Sequence, residues 1–210
     1  MKKILSVVVA LFMLAGAFSE TGLYAKLNAG YTSGSASFDE HNYSGSVGFK
    51  GFDIYGAIGI EPEATSFEGK PFDITFEAYL DAIIGSGSKW GNDAKVFAIN
   101  PGVFSYFNWH FENSDSEFLQ KFVPYAGAGI SFPIEFVKFS VSYPVEWDAY
   151  GHATKWHTDD YDSTEFGFNV NFATGARYAI SEKFEVNAEM GWNTLELDTW
   201  FLRGGVLFRF

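Results

Sequence analysis

The densest group of side chains able to do chemistry is GHATKWHTDDYD, which brings His152, His157, Asp159, Asp160 and Asp162 into one short stretch of a 210-residue chain. Imidazole and carboxylate together could ligate a divalent metal, or pair as base and acid in a hydrolase. Ligation needs donors fixed in space, and acid–base work needs a group within about 3 Å of the proton it moves. Nothing in the local spacing supplies that constraint, so the stretch reads as a solvated acidic loop. No catalytic, metal-ligating or cofactor-binding residue is assigned. His41 and His110 stand alone in other connections, and no Ser–His pair can be selected among so many serines. The chain has no cysteine, which excludes thiol chemistry, disulfide scaffolds and Cys-ligated metals.

Charge and composition narrow the classes further. Lys and Arg total 14 against 26 Asp and Glu, a formal charge of −12, which argues against nucleic acid as a partner. Aromatic residues make up 20% of the chain, 24 of them Phe, and 22 residues are Gly. That mixture excludes disorder and fits a sheet with one apolar face. The length allows one domain.

The amino terminus reads MKKILSVVVALFMLAGAFSE. Lys2 and Lys3 precede an apolar run from Ile4 to Phe18, and Ala17 and Ser19 suit the small positions before a signal-peptidase cut, with Ala15 and Ala17 as a second choice. The run is short for a membrane helix, which needs about 20 residues. We expect a signal peptide at 1–19 and a single domain at 20–210. Removing the two lysines takes the formal charge from −12 to −14.

What must position any functional residue is a set of long alternating segments. From Thr164 to Ile180 one parity carries Phe166, Phe168, Val170, Phe172, Tyr178 and Ile180, while the other carries Glu165, Asn169, Asn171 and Arg177. The same period of two recurs in Phe72–Leu80, Val137–Trp147, Phe184–Trp192 and Trp200–Phe210. Strands of this length with this much Phe would overfill a sandwich core. In a bilayer the apolar face meets lipid, where a charge costs roughly 2–4 kcal/mol at mid-depth. The expected fold is all-β, a closed antiparallel transmembrane β-barrel. Ten strands are favoured, at 22–32, 43–51, 53–61, 72–82, 94–107, 119–131, 134–147, 163–179, 183–194 and 199–210. An eight-stranded alternative folds 72–82 or 134–147 into a long outer hairpin.

An even count puts both termini in the periplasm, and 33–42, 62–71, 108–118, 148–162 and 195–198 become outer connections. Ser181-Glu182 and Phe132-Pro133 are then periplasmic turns. Trp109, Trp147, Trp192 and Trp200 fall at the outer strand ends, where an interfacial aromatic girdle belongs. The inward parity carries the charges, among them Lys50, Lys95, Lys138, Glu165, Arg177, Glu185, Glu189, Arg203 and Arg209. Of these, Lys138, Arg177, Glu185, Glu189, Arg203 and Arg209 are the leading lumen charges, able to pair across a narrow barrel that side chains largely fill.

Three segments resemble the small outer-membrane β-barrels that include the OmpA-like transmembrane domain: FVPYAGAGI at 122–130, GARYAISEKFEVNAEM at 175–190 and LRGGVLFRF at 202–210. The resemblance implies outer-membrane localisation after export through the periplasm, with Phe210 as the terminal assembly signal. It further implies folding by periplasmic chaperones and the barrel-assembly machinery. Its partners would be outer-membrane lipid and a host or environmental ligand at the loops, with the barrel a monomer. The function expected is non-enzymatic, structural or surface-interacting. A narrow porin or small-solute channel is the alternative, and an outer-membrane hydrolase a remote one.

Overall fold

The computed structural model describes residues 22–40, 43–62, 71–89, 92–111, 113–195 and 198–210; the expected leader and His41 lie outside the described residues. In chain order the elements are β1 (Gly22–Glu40), β2 (Tyr43–Glu61), β3 (Phe72–Lys89), β4 (Asn92–Trp109), the short helix α1 (Glu117–Lys121), β5 (Phe122–Ser131), β6 (Ile134–Trp147), β7 (Ala153–Phe166), β8 (Asn169–Ser181), β9 (Phe184–Leu195) and β10 (Asp198–Arg209). The ten strands make one antiparallel, near-circular sheet. Its pairings run β3-β2-β1-β10-β9-β8-β5-β4, and β4 pairs back with β3, so eight strands form a circuit. The other two stand on it as a hairpin: β6 pairs with β4 and β7 with β6.

Gly22, the first described residue, and Phe210 lie at one end, which we call the terminal end. There the Phe210 N–H donates to the Leu23 carbonyl at 3.0 Å and the Arg209 N–H to Lys183 at 2.9 Å. From that end β5 climbs β4 from Asn108↔Tyr125 to Gly102↔Ser131, and β6 continues the climb from Ile99↔Ile134 to Asp93↔Ser140. The break between β5 and β6 is chemical. Pro133 has no N–H to give, and Pro101 removes a second donor from β4 at nearly the same level. Phe132-Pro133 is therefore an interruption in a continuing path and not a turn.

The count of ten matches the expected number through two compensating differences. The expected strands 43–51 and 53–61 are one strand, β2, and the expected loop 148–162 is mostly β7. Segment 134–147 is the first strand of an outer hairpin, so the circuit is that of the eight-stranded alternative. Of the five connections expected on the outer side, 33–42, 148–162 and 195–198 do share one end, but the other two were assigned to the wrong one. Gly22 pairs with Glu61 and Phe72 with Trp109, so 62–71 and 108–118 join strand ends at the terminal end, while 83–93 runs up and over the far end.

The physical cause of these errors is a change of phase within single strands. On the half of β2 nearer the terminal end, the even positions Phe52 and Ile54 face outward and Asp53 and Tyr55 inward. On the far half, Val47 and Phe49 face inward and are buried, and Lys50 is exposed. The same inversion occurs on β4, where Ala94, Val96 and Ala98 point inward, and it continues on β6 with Val137, Phe139 and Val141. These side chains and Ile83 form one dry cluster against which Tyr161 packs. On the outside, the boundary is a register line. Phe52, Ile84, Phe97 and Phe136 are successive cross-strand neighbours; two residues further along, Lys50, Ser86, Lys95, Lys138 and Asp162 are. An apolar outer face fits lipid, and a polar one with an apolar inner face fits water. β1 to β4 are 18–19 residues long, about twice what a tilted bilayer strand needs, so each has a segment for both solvents.

Candidate functional site

The interior of the eight-strand circuit is built from the inward parity of its strands. Lys26 on β1, Glu77 on β3, Glu189 on β9 and Arg203 on β10 are all buried. Lys26 Nζ donates to Glu189 Oε2 at 2.9 Å and lies 3.5 Å from Glu77 Oε1. Arg203 donates to Glu189 Oε1 through Nε at 2.8 Å and through Nη2 at 2.5 Å. Its Nη1 is 3.6 Å from Asp53 and 3.9 Å from Asp81. Tyr24 and Tyr55 each donate a hydroxyl to Glu77, at 3.0 and 2.5 Å, and Tyr106 donates one to Glu189 at 3.1 Å. The guanidinium of Arg203 also lies 3.8 Å from the Tyr55 ring centroid. Charges this deep persist only when paired and hydrogen-bonded; Lys26, Glu77, Glu189 and Arg203 meet both conditions, whereas buried Asp53 has only the 3.6 Å approach of Arg203.

Room for the network comes partly from glycine. A Cβ on Gly59 would come within 2.1 Å of the Tyr24 ring, and one on Gly30 within 2.4 Å of Arg203 Cβ. The space enclosed by Lys26, Glu77, Tyr106, Tyr125 and Arg177 is about 10 Å³, scarcely room for one water. Both side-chain amide atoms of Asn28 and Asn187 are buried without a hydrogen-bond partner, so the packing is dense but not fully self-satisfied.

A second group lies at the terminal end. Arg209 Nε donates to Glu185 at 2.7 Å and its Nη1 to Glu61 at 2.7 Å; Arg177 Nε lies 3.4 Å from the other oxygen of Glu185. Beside it, His110 Nε2 sits 2.5 Å from Asp73 Oδ2, and Asn108 donates to Asp73 Oδ1 at 2.6 Å.

Arg177, Glu185, Glu189, Arg203 and Arg209 thus face the interior, and Lys138 does not. Lys138 is exposed on the outer face of β6 and pairs with Asp162 at 3.1 Å. Lys50 and Lys95 are likewise exposed, each beyond the phase change; Glu165 is exposed as well, but it pairs with Glu135, on the other face of the hairpin from Lys138. Lys26 was missed as an interior residue, although Tyr24, Lys26 and Asn28 alternate visibly with Leu23, Ala25 and Leu27.

The tryptophans do not form one girdle. Trp109 is at the terminal end, opposite Phe72, whereas Trp147 ends β6 beyond the register line. Only Trp192 and Trp200 are neighbours, as a cross-strand pair. In the outer hairpin the acidic stretch is dispersed by strand alternation. Asp160 accepts from Ser140 at 2.6 Å, Asp162 takes Lys138, and Asp159 accepts from Tyr143 at 2.8 Å. His152 serves the tip, where Asp148 accepts its N–H at 2.9 Å and that of Tyr150 at 2.8 Å, and Gly151 supplies the positive φ of +82°. These bonds, led by the His152 N–H, hold the Asp148 carboxyl below its ordinary range.

No curated protein matches the sequence. Among solved structures, Neisserial surface protein A shares 19% identity over 90% of this chain and 97% of its own, with a TM-score of 0.54. OprG from Pseudomonas aeruginosa shares 10% over 90% and 96%, with a TM-score of 0.44. Ail, the attachment invasion locus protein of Yersinia pestis, shares 12% over 89% and 99%, with a TM-score of 0.43. The first of these shows a common fold and nothing more specific. The family model described as "Outer membrane protein beta-barrel domain" matches residues 4–210. This breadth replaces the narrower OmpA-like resemblance: the chain belongs to the outer-membrane β-barrel family, and is a protein of the bacterial outer membrane, exported through the periplasm.

Proposed function

We propose that this protein is a non-conducting surface barrel. Its eight-strand circuit closes within the outer membrane with the termini in the periplasm, and the β6–β7 hairpin presents an interaction surface outside the cell. The observation that carries this reading is the interior, where Lys26, Glu77, Glu189 and Arg203 are buried and paired with one another and the space beside Lys26 and Glu77 is about 10 Å³. Further from the terminal end an apolar cluster around Phe49, Val96 and Phe139 is buried on the inner faces of β2, β4 and β6.

The hairpin offers a free backbone edge. Ser142 turns its N–H toward Asn92, away from β7, and the Gly167 N–H donates to the Pro133 carbonyl. Antiparallel ladders alternate, so Thr158, Asp160, Asp162 and Thr164 point their backbone groups away from β6. Among the described residues no strand pairs with that side. Its acidic side chains oppose pairing with a second copy and favour an extended basic segment as ligand.

Single-channel recording of the refolded mature chain tests the closed interior, with Arg203→Ala as the comparison. Silence in the parent protein is expected. Resolved conductance in the parent, changed in size or ion preference by the substitution, would make the narrow porin the better reading.

A further inference from the structure

Two carboxylates and an imidazole converge at the terminal end from three different strand ends. Glu61 closes β2, Asp73 opens β3 and His110 follows β4. One donor atom from each lies within 4.8 Å of the other two. Donors around zinc bond at about 2.0–2.2 Å, which puts tetrahedral ligands roughly 3.4 Å apart. Side-chain adjustments of about an ångström would therefore bring all three onto one ion.

Each donor is also held by a group outside the set. Asn108 Nδ2 holds Asp73 Oδ1 at 2.6 Å, so the other oxygen faces His110. The backbone N–H of His110 donates to the Pro71 carbonyl at 2.7 Å, anchoring the base of the imidazole. Arg209 binds Glu61 Oε2 at 2.7 Å and so fixes the direction of that carboxylate. Orientation of ligands by such outer groups is what distinguishes a binding constellation from chance proximity. Arg209 is itself shared with Glu185, so it only partly offsets the two converging negative charges.

We propose that Glu61, Asp73 and His110 form a site for a divalent transition-metal ion of the zinc class at the terminal mouth of the barrel. The imidazole nitrogen selects against calcium and magnesium, which prefer all-oxygen shells. Three protein donors leave at least one coordination position for water. The His110 and Glu61 side chains are 23% and 22% exposed, so an ion can enter from solution. The ion would tie Glu61 to β3 and β4 beyond Ile60↔Phe76, the last pair between β2 and β3.

The test is zinc titration by calorimetry on the refolded mature chain, stripped of metal by a chelator. One zinc per chain is expected. His110→Gln should abolish binding, and Asn108→Ala should weaken it by roughly 10–100-fold. The double variant His152→Gln, His157→Gln should bind as the parent does, since those residues lie in the outer hairpin. Should His110→Gln fail to fold, a chain carrying His41→Gln, His152→Gln and His157→Gln retains His110 as its only imidazole. Zinc must then shift the ring signals of that residue in NMR spectra. Absence of binding in the parent, unchanged binding in a folded His110→Gln variant, or an unmoved His110 signal would each overturn the proposal.

Discussion

Lys26 Nζ sits 2.9 Å from Glu189 Oε2 although 163 residues separate them and β10 lies between their strands. Glu189 also receives Arg203 and Tyr106, so it is the hub of the interior. Glu189→Gln should destabilise the folded barrel by roughly 3–5 kcal/mol, because two buried cations lose their common partner. Lys26→Met should cost less, since Arg203 still neutralises Glu189. Urea midpoints read by heat-modifiable electrophoretic migration will rank the two; an equal or reversed order would deny the hub.

The register line between Phe97 and Lys95 makes a claim about depth. Val103 lies well inside the apolar outer face, paired with Ala78 and Ile130. Val103→Arg should therefore impair assembly by about 2–4 kcal/mol, while Lys95→Leu should fold with nearly parental yield. Val141→Asp should also be harmful, but by placing a charge in the dry inner cluster and not in lipid. Folding yields in lipid vesicles against detergent separate these causes: only the Val103 defect should depend on bilayer thickness.

Orientation follows from which connections share an end. A cysteine at Tyr150, which is 87% exposed, should react with an impermeant label on intact cells. Cysteines at Ser114 and Glu182 should react only after the outer membrane is opened. Labelling of Ser114 in intact cells would reverse the orientation of the whole ring.

Much of this was legible beforehand, and the exceptions share one cause. Phe72 to Leu80 and Phe184 to Trp192 gave the outward face correctly because both segments lie within the lipid band. Val47, Phe49, Val137 and Phe139 gave it wrongly, since apolar parity identifies the dry side of a strand and not whether that dryness is lipid or core. The flip at Gly51-Phe52 therefore looked like a turn. Arg203 and Glu189 were legible as inward charges, but their meeting with Lys26 depends on the stagger of the ring, which alternation does not encode.

The free edge of β7 predicts different effects of proline at adjacent positions. Asp160→Pro removes an N–H that bonds to nothing in the hairpin, and should leave its resistance to proteases nearly intact. Tyr161→Pro removes a ladder donor to Phe139 and should open the hairpin to cleavage. If an extended basic peptide binds by strand addition, Asp160→Pro should abolish that binding without loss of fold. Equal protease sensitivity in both variants would refute the assigned alternation.

At the hairpin tip, the Asp148 carboxylate is depressed by the N–H groups it accepts, led by that of His152. A depressed acid stabilises its loop above its unfolded pKa and loses that contribution as pH falls through the folded one. Protection of the Tyr150 and His152 amides, taken relative to their intrinsic exchange rates, should be present near neutrality and be lost at pH values below the ordinary aspartate value of 3.8. Asp148→Asn should flatten this dependence.

β4 carries β5 on its half nearer the terminal end and β6 beyond Pro101, on one unbroken backbone. A pull on the extracellular hairpin therefore loads a row of hydrogen bonds in parallel along that strand, as a shear, and does not peel them one at a time. The interruption at Phe132-Pro133 is bridged by its neighbour, much as a splice is by the rail beside it. Tension arriving from outside is delivered into the wall anchored in the membrane. Were the hairpin to hold a moving ligand outside the cell, as proposed above, β4 would pass the load across the gap between β5 and β6 into the ring.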